Sequence, residues 1–252
     1  MRTARTQAPV RCVGFALGDK QFLTVLDNIM GNHPTIFTWD LELNNLDAHP
    51  DCPNLTITGH TSKIGRALWG PLNQQIFSVS DDATLRVWDP VKGNQKAIIE
   101  GVHNKKITDL QFSWDMALFV TSCADMHVRL FDTSSLALLY AFNTERPLNS
   151  AAISPLEHCP YMIAGGGQDA MSVTTTAAQQ GKFETIFFDH AFGDELGCIA
   201  GHFGPVNTLA FAPHGRAYTS GGEDGYIRIH HFDVDYFEAY KSKVAEAFGE
   251  TQ

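Results

Sequence analysis

The distance from His60 to Asp82 is 22 residues, and the same distance separates His103 from Asp125 and His202 from Asp224. An interval carried three times marks a repeated unit, and a repeat constrains a fold more than any isolated motif does. The segment Ser78-Val79-Ser80-Asp81-Asp82-Ala83-Thr84-Leu85-Arg86-Val87-Trp88-Asp89 aligns with Thr121-Ser122-Cys123-Ala124-Asp125-Met126-His127-Val128-Arg129-Leu130-Phe131-Asp132, 43 residues further on. A third copy runs from Ser220 through Asp224, Gly225, Tyr226 and Ile227 to Arg228 and Ile229. After each histidine comes an apolar segment of alternating character: Ile64 to Trp69, Ile107 to Phe112, Val206 to Phe211. That period predicts a strand, and a turn then leads to a second strand at Ile76 to Val79, Leu118 to Ser122 and Ala217 to Ser220. The Leu85-Arg86-Val87-Trp88 pattern supplies a third strand, and a fourth is predicted at Lys96 to Glu100 and Leu136 to Phe142.

Four short strands per unit of about 43 residues is the period of a β-propeller blade, so the fold class is all-β. Two further units are degenerate. Residues 143–200 keep a strand at Leu148 to Ile153, and a second ends in Gly165-Gly166-Gly167. Asp169, 44 residues after Asp125, takes the turn position there, and Val173-Thr174-Thr175-Thr176 is the expected third strand, without a Trp-Asp pair. Residues 10–58 keep Cys12 to Phe15, Phe22 to Leu26 and Thr35 to Asp40, with Leu46 to Pro53 as a surface loop. The expected organisation is an extension at 1–9, a propeller at 10–240 and a tail at 241–252. The five units are 10–58, 59–101, 102–142, 143–200 and 201–240. Residues Asp235 to Gln252 read as a short helix or a frayed tail.

A blade is buried only by its neighbours, so polar groups inside the stack must satisfy one another. A loop histidine, a turn aspartate, a Ser or Thr and a Trp can join in one hydrogen-bonded chain. His60, Ser78, Asp82 and Trp88 form a complete set. His103 and Asp125 head a shorter one, because Phe131 stands where the indole donor would be, and His202 and Asp224 head the third. The same residue types make a hydrolase triad, but a catalytic set occurs once whereas this one recurs at fixed spacing. No G-x-S-x-G elbow is present. No enzyme and no catalytic residue is expected.

Other chemistry is excluded on similar grounds. Gly165-Gly166-Gly167-Gln168-Asp169 and Gly221-Gly222-Glu223-Asp224-Gly225 lie between strands, so no helix N-terminus follows to hold a phosphate. His230 and His231 are adjacent and face opposite sides of a strand, and neither a metal nor a cofactor is expected. The five cysteines are scattered with no C-x-x-C pair and read as buried, reduced thiols. A net charge of -10, from 28 acidic and 18 basic residues, opposes direct nucleic-acid binding. With no long apolar run and no apolar region behind the first arginines, neither a membrane span nor a secretory signal is expected, and the compartment is cytoplasmic. Arg86, Arg129 and Arg228 share one third-strand position, which suits a structural or rim role. Arg146, Gln168, Asp169 and Asn207 are the expected partner contacts, on exposed loops.

The Gly59-His60 to Trp88-Asp89 spacing resembles that of WD-repeat, or WD40-type, β-propellers. A narrower resemblance rests on Thr144-Glu145-Arg146-Pro147-Leu148-Asn149-Ser150, on Gly165 to Thr176 and on Gly181-Lys182-Phe183-Glu184. Trp69-Gly70-Pro71-Leu72, Gly201-His202-Phe203-Gly204-Pro205-Val206-Asn207 and Gly221 to His230 extend it. These are similar to the i subunit family of eukaryotic translation initiation factor three, over about residues 10–240. The resemblance implies a seven-bladed propeller of which the five recognisable blades are the last five, the first two blades and the closing strand being absent. It also implies a non-catalytic scaffold that acts on the small ribosomal subunit, with the b and g subunits as partners. A WD-repeat scaffold in signalling or ubiquitin ligation is the alternative, since the fold alone does not fix function.

Overall fold

The computed structural model describes residues 6–27, 33–41, 52–156, 159–167, 183–233 and 235. The chain forms two compact units, residues 1–149 and 150–252. The first unit holds three four-stranded sheets, each with its strands in chain order. Sheet one comprises β1 (Val10–Phe15), β2 (Gln21–Leu26), β3 (Thr35–Asp40) and β4 (Leu55–Thr58). Sheet two comprises β5 (Ile64–Trp69), β6 (Ile76–Ser80), β7 (Leu85–Trp88) and β8 (Gln95–Ile99). Sheet three comprises β9 (Ile107–Phe112), β10 (Leu118–Cys123), β11 (His127–Asp132) and β12 (Leu138–Asn143). The boundary between units falls inside β13 (Leu148–Ile153), the first strand of sheet four. That sheet continues with β14 (Tyr161–Gly166), β15 (Glu184–Asp189) and β16 (Asp194–Ala200). Sheet five has three strands among the described residues, β17 (Val206–Phe211), β18 (Ala217–Gly222) and β19 (Ile227–His231). Five such sheets of repeated build are those of a WD40-type β-propeller.

Position within the sheet explains why the strand sequences differ in character. Second strands are covered on both faces, and β6 and β14 are buried at every residue, so Ile76-Phe77-Ser78-Val79-Ser80 reads as a run rather than as an alternation. Fourth strands are edges, and every residue of β16 is exposed. Sheets stack face on face. Leu23, Val25 and Ile36 of sheet one meet Ile64, Ala67 and Ile76 of sheet two. Phe77, Val79, Leu85 and Val87 then meet Ile107, Leu110 and Phe119 of sheet three, with the Phe77 ring edge-on to Phe112 at 5.1 Å. In the second unit Ala152, Ile163 and Phe187 pack against Val206, Leu209 and Tyr218. In the first unit the approach is close enough for Trp69 Nε1 to donate to Gly14 O at 3.2 Å.

The fourth sheet corrects the sequence reading. Its third strand is Glu184–Asp189, which pairs residue by residue with β14 from Gly165↔Thr185 to Tyr161↔Asp189. Val173 to Thr176 and Asp169 lie outside the described residues, as does most of Asp235 to Gln252. The β-branched run competed well on composition, but Glu184-Thr185-Ile186-Phe187-Phe188-Asp189 buries four of its six residues and ends in Phe-Asp, like β11. The cysteines also divide: Cys123 and Cys159 are buried, whereas Cys52 and Cys198 are exposed. Among the described residues no helix is long and apolar enough to cross a membrane.

Gly65 shows how tightly two sheets are pressed together. A Cβ on it would lie 3.1 Å from Ile107 O and 3.3 Å from Thr108 O, both backbone atoms that cannot swing aside. Gly65→Val is expected to destabilise the chain by about 1–3 kcal/mol through overpacking. A urea midpoint equal to the parent's would show that sheets two and three separate easily there.

Candidate functional site

Four residues before the first strand of sheets two, three and five stands a histidine: His60, His103 and His202. Each meets the aspartate of the turn between the second and third strands of its own sheet. In sheet two the chain of bonds is complete and runs one way. Trp88 Nε1 donates to Ser78 Oγ at 2.8 Å, the Ser78 hydroxyl lies 2.7 Å from His60 Nε2, and His60 Nδ1 lies 2.9 Å from Asp82 Oδ2. With the imidazole proton placed on Nδ1, each donor has one acceptor. His60, Ser78 and Trp88 are fully buried, so each would cost stability if left unpaired. Gly59 precedes the histidine at φ +151, and a Cβ there would meet the Trp88 ring at 2.9 Å. The Gly-His pair therefore closes over the indole only because its first residue lacks a side chain.

The aspartate does more than orient the ring. Asp82 also accepts the Thr61 N–H at 3.1 Å, the Thr84 N–H at 3.0 Å and the Thr84 hydroxyl at 2.6 Å. Asp125 accepts from the Asn104 and His127 N–H groups, and Asp224 from those of Phe203 and Tyr226. In each sheet one carboxylate thus ties the segment after the histidine to its own turn. Burial alone raises the Asp82 pKa, but the bonds from His60 and Thr84 outweigh it and hold the carboxyl well below the usual range. Asp125 and Asp224 are lowered against the same opposing burial, Asp125 by the Asn104 N–H bond first and Asp224 by His202 first.

Sheets three and five bring in a residue type absent from the expected sets. His103 Nδ1 lies 3.8 Å from Asp125 Oδ2, too far for a hydrogen bond. Arg129 Nη1 bridges them, donating to His103 Nδ1 at 2.8 Å and to Asp125 Oδ2 at 3.0 Å, while His103 Nε2 lies 2.9 Å from Thr121 Oγ1. The direct His103–Asp125 contact expected from spacing is replaced, because the guanidinium occupies the gap. Arg228 takes the same place in sheet five, 2.7 Å from His202 Nδ1 and 2.9 Å from Asp224 Oδ2, and there His202 Nδ1 stays 3.0 Å from Asp224 Oδ1. His202 Nε2 lies 2.8 Å from Ser220 Oγ. The signal was present in the sequence: Arg129 and Arg228 each follow the aspartate by four residues.

In sheet four, the positions equivalent to His60, Ser78 and Trp88 hold Thr144, Ala164 and Phe188, by strand offset and register. Thr144 turns instead to backbone, its hydroxyl donating to Met126 O at 3.0 Å and Arg146 O at 2.9 Å. Sheet one retains the indole end, with Trp39 Nε1 donating to Thr24 Oγ1 at 2.9 Å. The buried set of His103, Cys123 and Asp125 brings three possible metal ligands together, but it is engaged otherwise. Burial pushes the Cys123 thiol up to about 12, it lies 3.2 Å from both Lys105 O and Lys106 O, and Arg129 already neutralises the carboxylate.

Asn207 is exposed but sits within β17 rather than on a loop, and Arg146 is half-buried with its Nε enclosed, so neither is an exposed loop side chain. Gln168 and Asp169 lie outside the described residues.

Two predictions test these ties. Asp82→Ala strips acceptors from His60, Thr61 and Thr84 at once and should cost about 1–3 kcal/mol in urea unfolding; an unchanged midpoint would show the carboxylate to be dispensable. Burial, then Arg129, lower the His103 pKa from 6.5 to about 4, so the folded chain keeps it neutral where the unfolded chain takes up a proton. Stability should therefore fall as pH drops from 6.5 to about 4, with the lowered aspartates adding to the fall only below about pH 5. His103→Asn should make the fall of the urea midpoint across that window shallower while lowering it at pH 7, and an equal slope in both proteins would refute this assignment.

The EIF3I family profile matches residues 1–241. Eukaryotic translation initiation factor 3 subunit I of Nematostella vectensis is 44% identical over 231 residues, which cover 92% of this chain and 70% of that protein. The protein of the same name from Taeniopygia guttata is 43% identical over 234 residues, covering 93% of this chain and 71% of the relative. Among solved structures, a chain in the crystal structure of a mitotic checkpoint complex superposes with a TM-score of 0.71 at 18% identity. The match covers 92% of this chain and 64% of that one, a likeness of fold alone.

Proposed function

The chain belongs to the family of eukaryotic translation initiation factor 3 subunit I, and we propose that it serves as a non-catalytic protein-interaction scaffold within that complex. It is a translation initiation factor subunit. In this reading it acts in the cytoplasm on the small ribosomal subunit, with the b and g subunits of initiation factor three as its direct partners. The observation that carries the scaffold role is that the Ser-His-Asp constellations serve structure. Each aspartate accepts backbone N–H groups on both sides of its histidine and turn, and Ser78 and Ser220 are at most 1% exposed. A nucleophile without access to solvent attacks nothing, and three copies of one constellation serve three sheets rather than one substrate. The net charge of -10 favours protein partners over bare RNA.

The same reading takes the five sheets as the last five blades of a seven-bladed family. The chain spans about 70% of the length of the curated relatives it matches. Titration calorimetry of the chain against a peptide from the C-terminal end of the b subunit tests the partner assignment. Saturable binding at micromolar affinity or tighter is expected. Recovery of kinases or ubiquitin-ligase components in place of initiation-factor subunits, when the tagged chain is purified from cells, would favour the other kind of WD-repeat scaffold.

A further inference from the structure

The residue just before the first strand of a sheet has one backbone duty: its carbonyl accepts an N–H from the turn between the second and third strands. Lys63 O accepts from Asp81 at 2.8 Å, Lys106 O from Ala124 at 3.1 Å and Pro205 O from Glu223 at 2.9 Å. Sheet one does the same with Pro9, whose carbonyl accepts from Asp27 at 3.0 Å. Proline fills the position in two of these four sheets, so the fold needs nothing from a long side chain there. Sheets two and three nevertheless place lysine at it, and sheet three adds Lys105 beside Lys106. Among the described residues none of these three ammonium groups is met by a carboxylate, although Asp81 and Glu100 are exposed at the same end of sheet two. Asp82 and Asp125, also at that end, are already committed to His60 and Arg129. Elsewhere in the same unit Arg66 is paired with Asp109 and Lys96 with Asp89.

The two lysine-bearing loops are neighbours. A Cβ on Gly65 would lie 3.1 Å from Ile107 O, so β5 and β9 touch two residues after Lys63 and one after Lys106. Three unpaired positive charges are thereby collected at one end of two adjacent sheets, in a chain whose net charge is -10. Like charges gathered without a counter-charge repel one another, and an anionic partner relieves that repulsion. We propose that Lys63, Lys105 and Lys106 dock an acidic segment of a partner protein. The sign of the charge selects Asp and Glu side chains, and its small extent selects protein over nucleic acid. A few carboxylates cover three lysines, whereas a polyphosphate strand continues past them over a surface of the wrong sign. The inference rests on the scaffold reading for the class of partner, a protein, and on nothing about the b or g subunits.

Fluorescence anisotropy of the full chain against a labelled peptide of about twelve residues, Asp and Glu alternating with Ser, tests the proposal. Saturable binding with a Kd below about 1 mM is expected at low salt, weakening as salt rises. Lys63→Ala/Lys105→Ala/Lys106→Ala should lose about tenfold or more in affinity. Lys20→Ala/Lys92→Ala/Lys96→Ala removes the same charge at the opposite strand ends and should keep the parent affinity. If the first triple variant fails to melt cooperatively by circular dichroism, Lys105→Glu/Lys106→Glu replaces it with the same expectation. A parent chain that shows no saturation overturns the proposal, as does an equal loss in both triple variants or equal binding of the peptide with Asn and Gln in place of Asp and Glu. Tighter binding of a single-stranded RNA of equal charge overturns the choice of a protein partner. The b-subunit calorimetry uses a different peptide, so that assignment and this one fail separately.

Discussion

Face-to-face burial of one sheet against another is the constraint from which the remaining features follow. A four-stranded antiparallel sheet standing alone would leave both faces of its middle strands wet, and the middle strands β6 and β14 are buried at every residue. Stacking dries them, and drying sets the terms for every polar atom caught between. Ser78, Thr121 and Ser220 sit at 1% exposure or less, so their hydroxyls need partners from within the protein. The loop histidines supply them and are in turn held by the turn aspartates, directly or, for His103, through Arg129.

The sheets vary this arrangement by exchanging either a single member or the whole set. Sheet two uses all four residues, with the indole closing the buried end. Sheet three has Phe131 in place of the indole, and Arg129 enters from the opposite end to satisfy both ring and carboxylate. In sheet four Thr144, Ala164 and Phe188 replace histidine, serine and tryptophan together. Losing the histidine alone would strand a buried hydroxyl, whereas losing all three leaves an apolar interior with nothing to satisfy.

Much of this was legible in the sequence, for reasons that differ by residue. The interval of 22 residues located the histidines and aspartates because hairpin geometry and sheet spacing hold that distance fixed. The first strands at Ile64–Trp69, Ile107–Phe112 and Val206–Phe211 were readable to the residue, since alternation is strong where only one face is well covered. Sheet four was misread because Val173 to Thr176 has the composition of a strand and stands at the usual spacing, while the strand that actually pairs lies further on. Arg129 and Arg228 were noticed as repeats but not assigned to the histidines. Spacing along a strand does not tell whether a long side chain folds back over its own turn, and here the guanidinium does. Arg146 and Asn207 are expected on exposed loops, but position in the sequence does not distinguish a loop tip from a strand or a half-buried corner.

The aspartate tie also sets how long a hairpin is allowed to be. Asp82, Asp125 and Asp224 must reach backbone on both sides at once, and the second and third strands of their sheets are joined by residues 81–84, 124–126 and 223–226. Sheet four has given up the histidine and serine, and its corresponding connection runs from 167 to 183. Sequence length is therefore policed by chemistry in three of the sheets and released in the fourth. An insertion at that hairpin breaks no aspartate tie of the kind that fixes the other three.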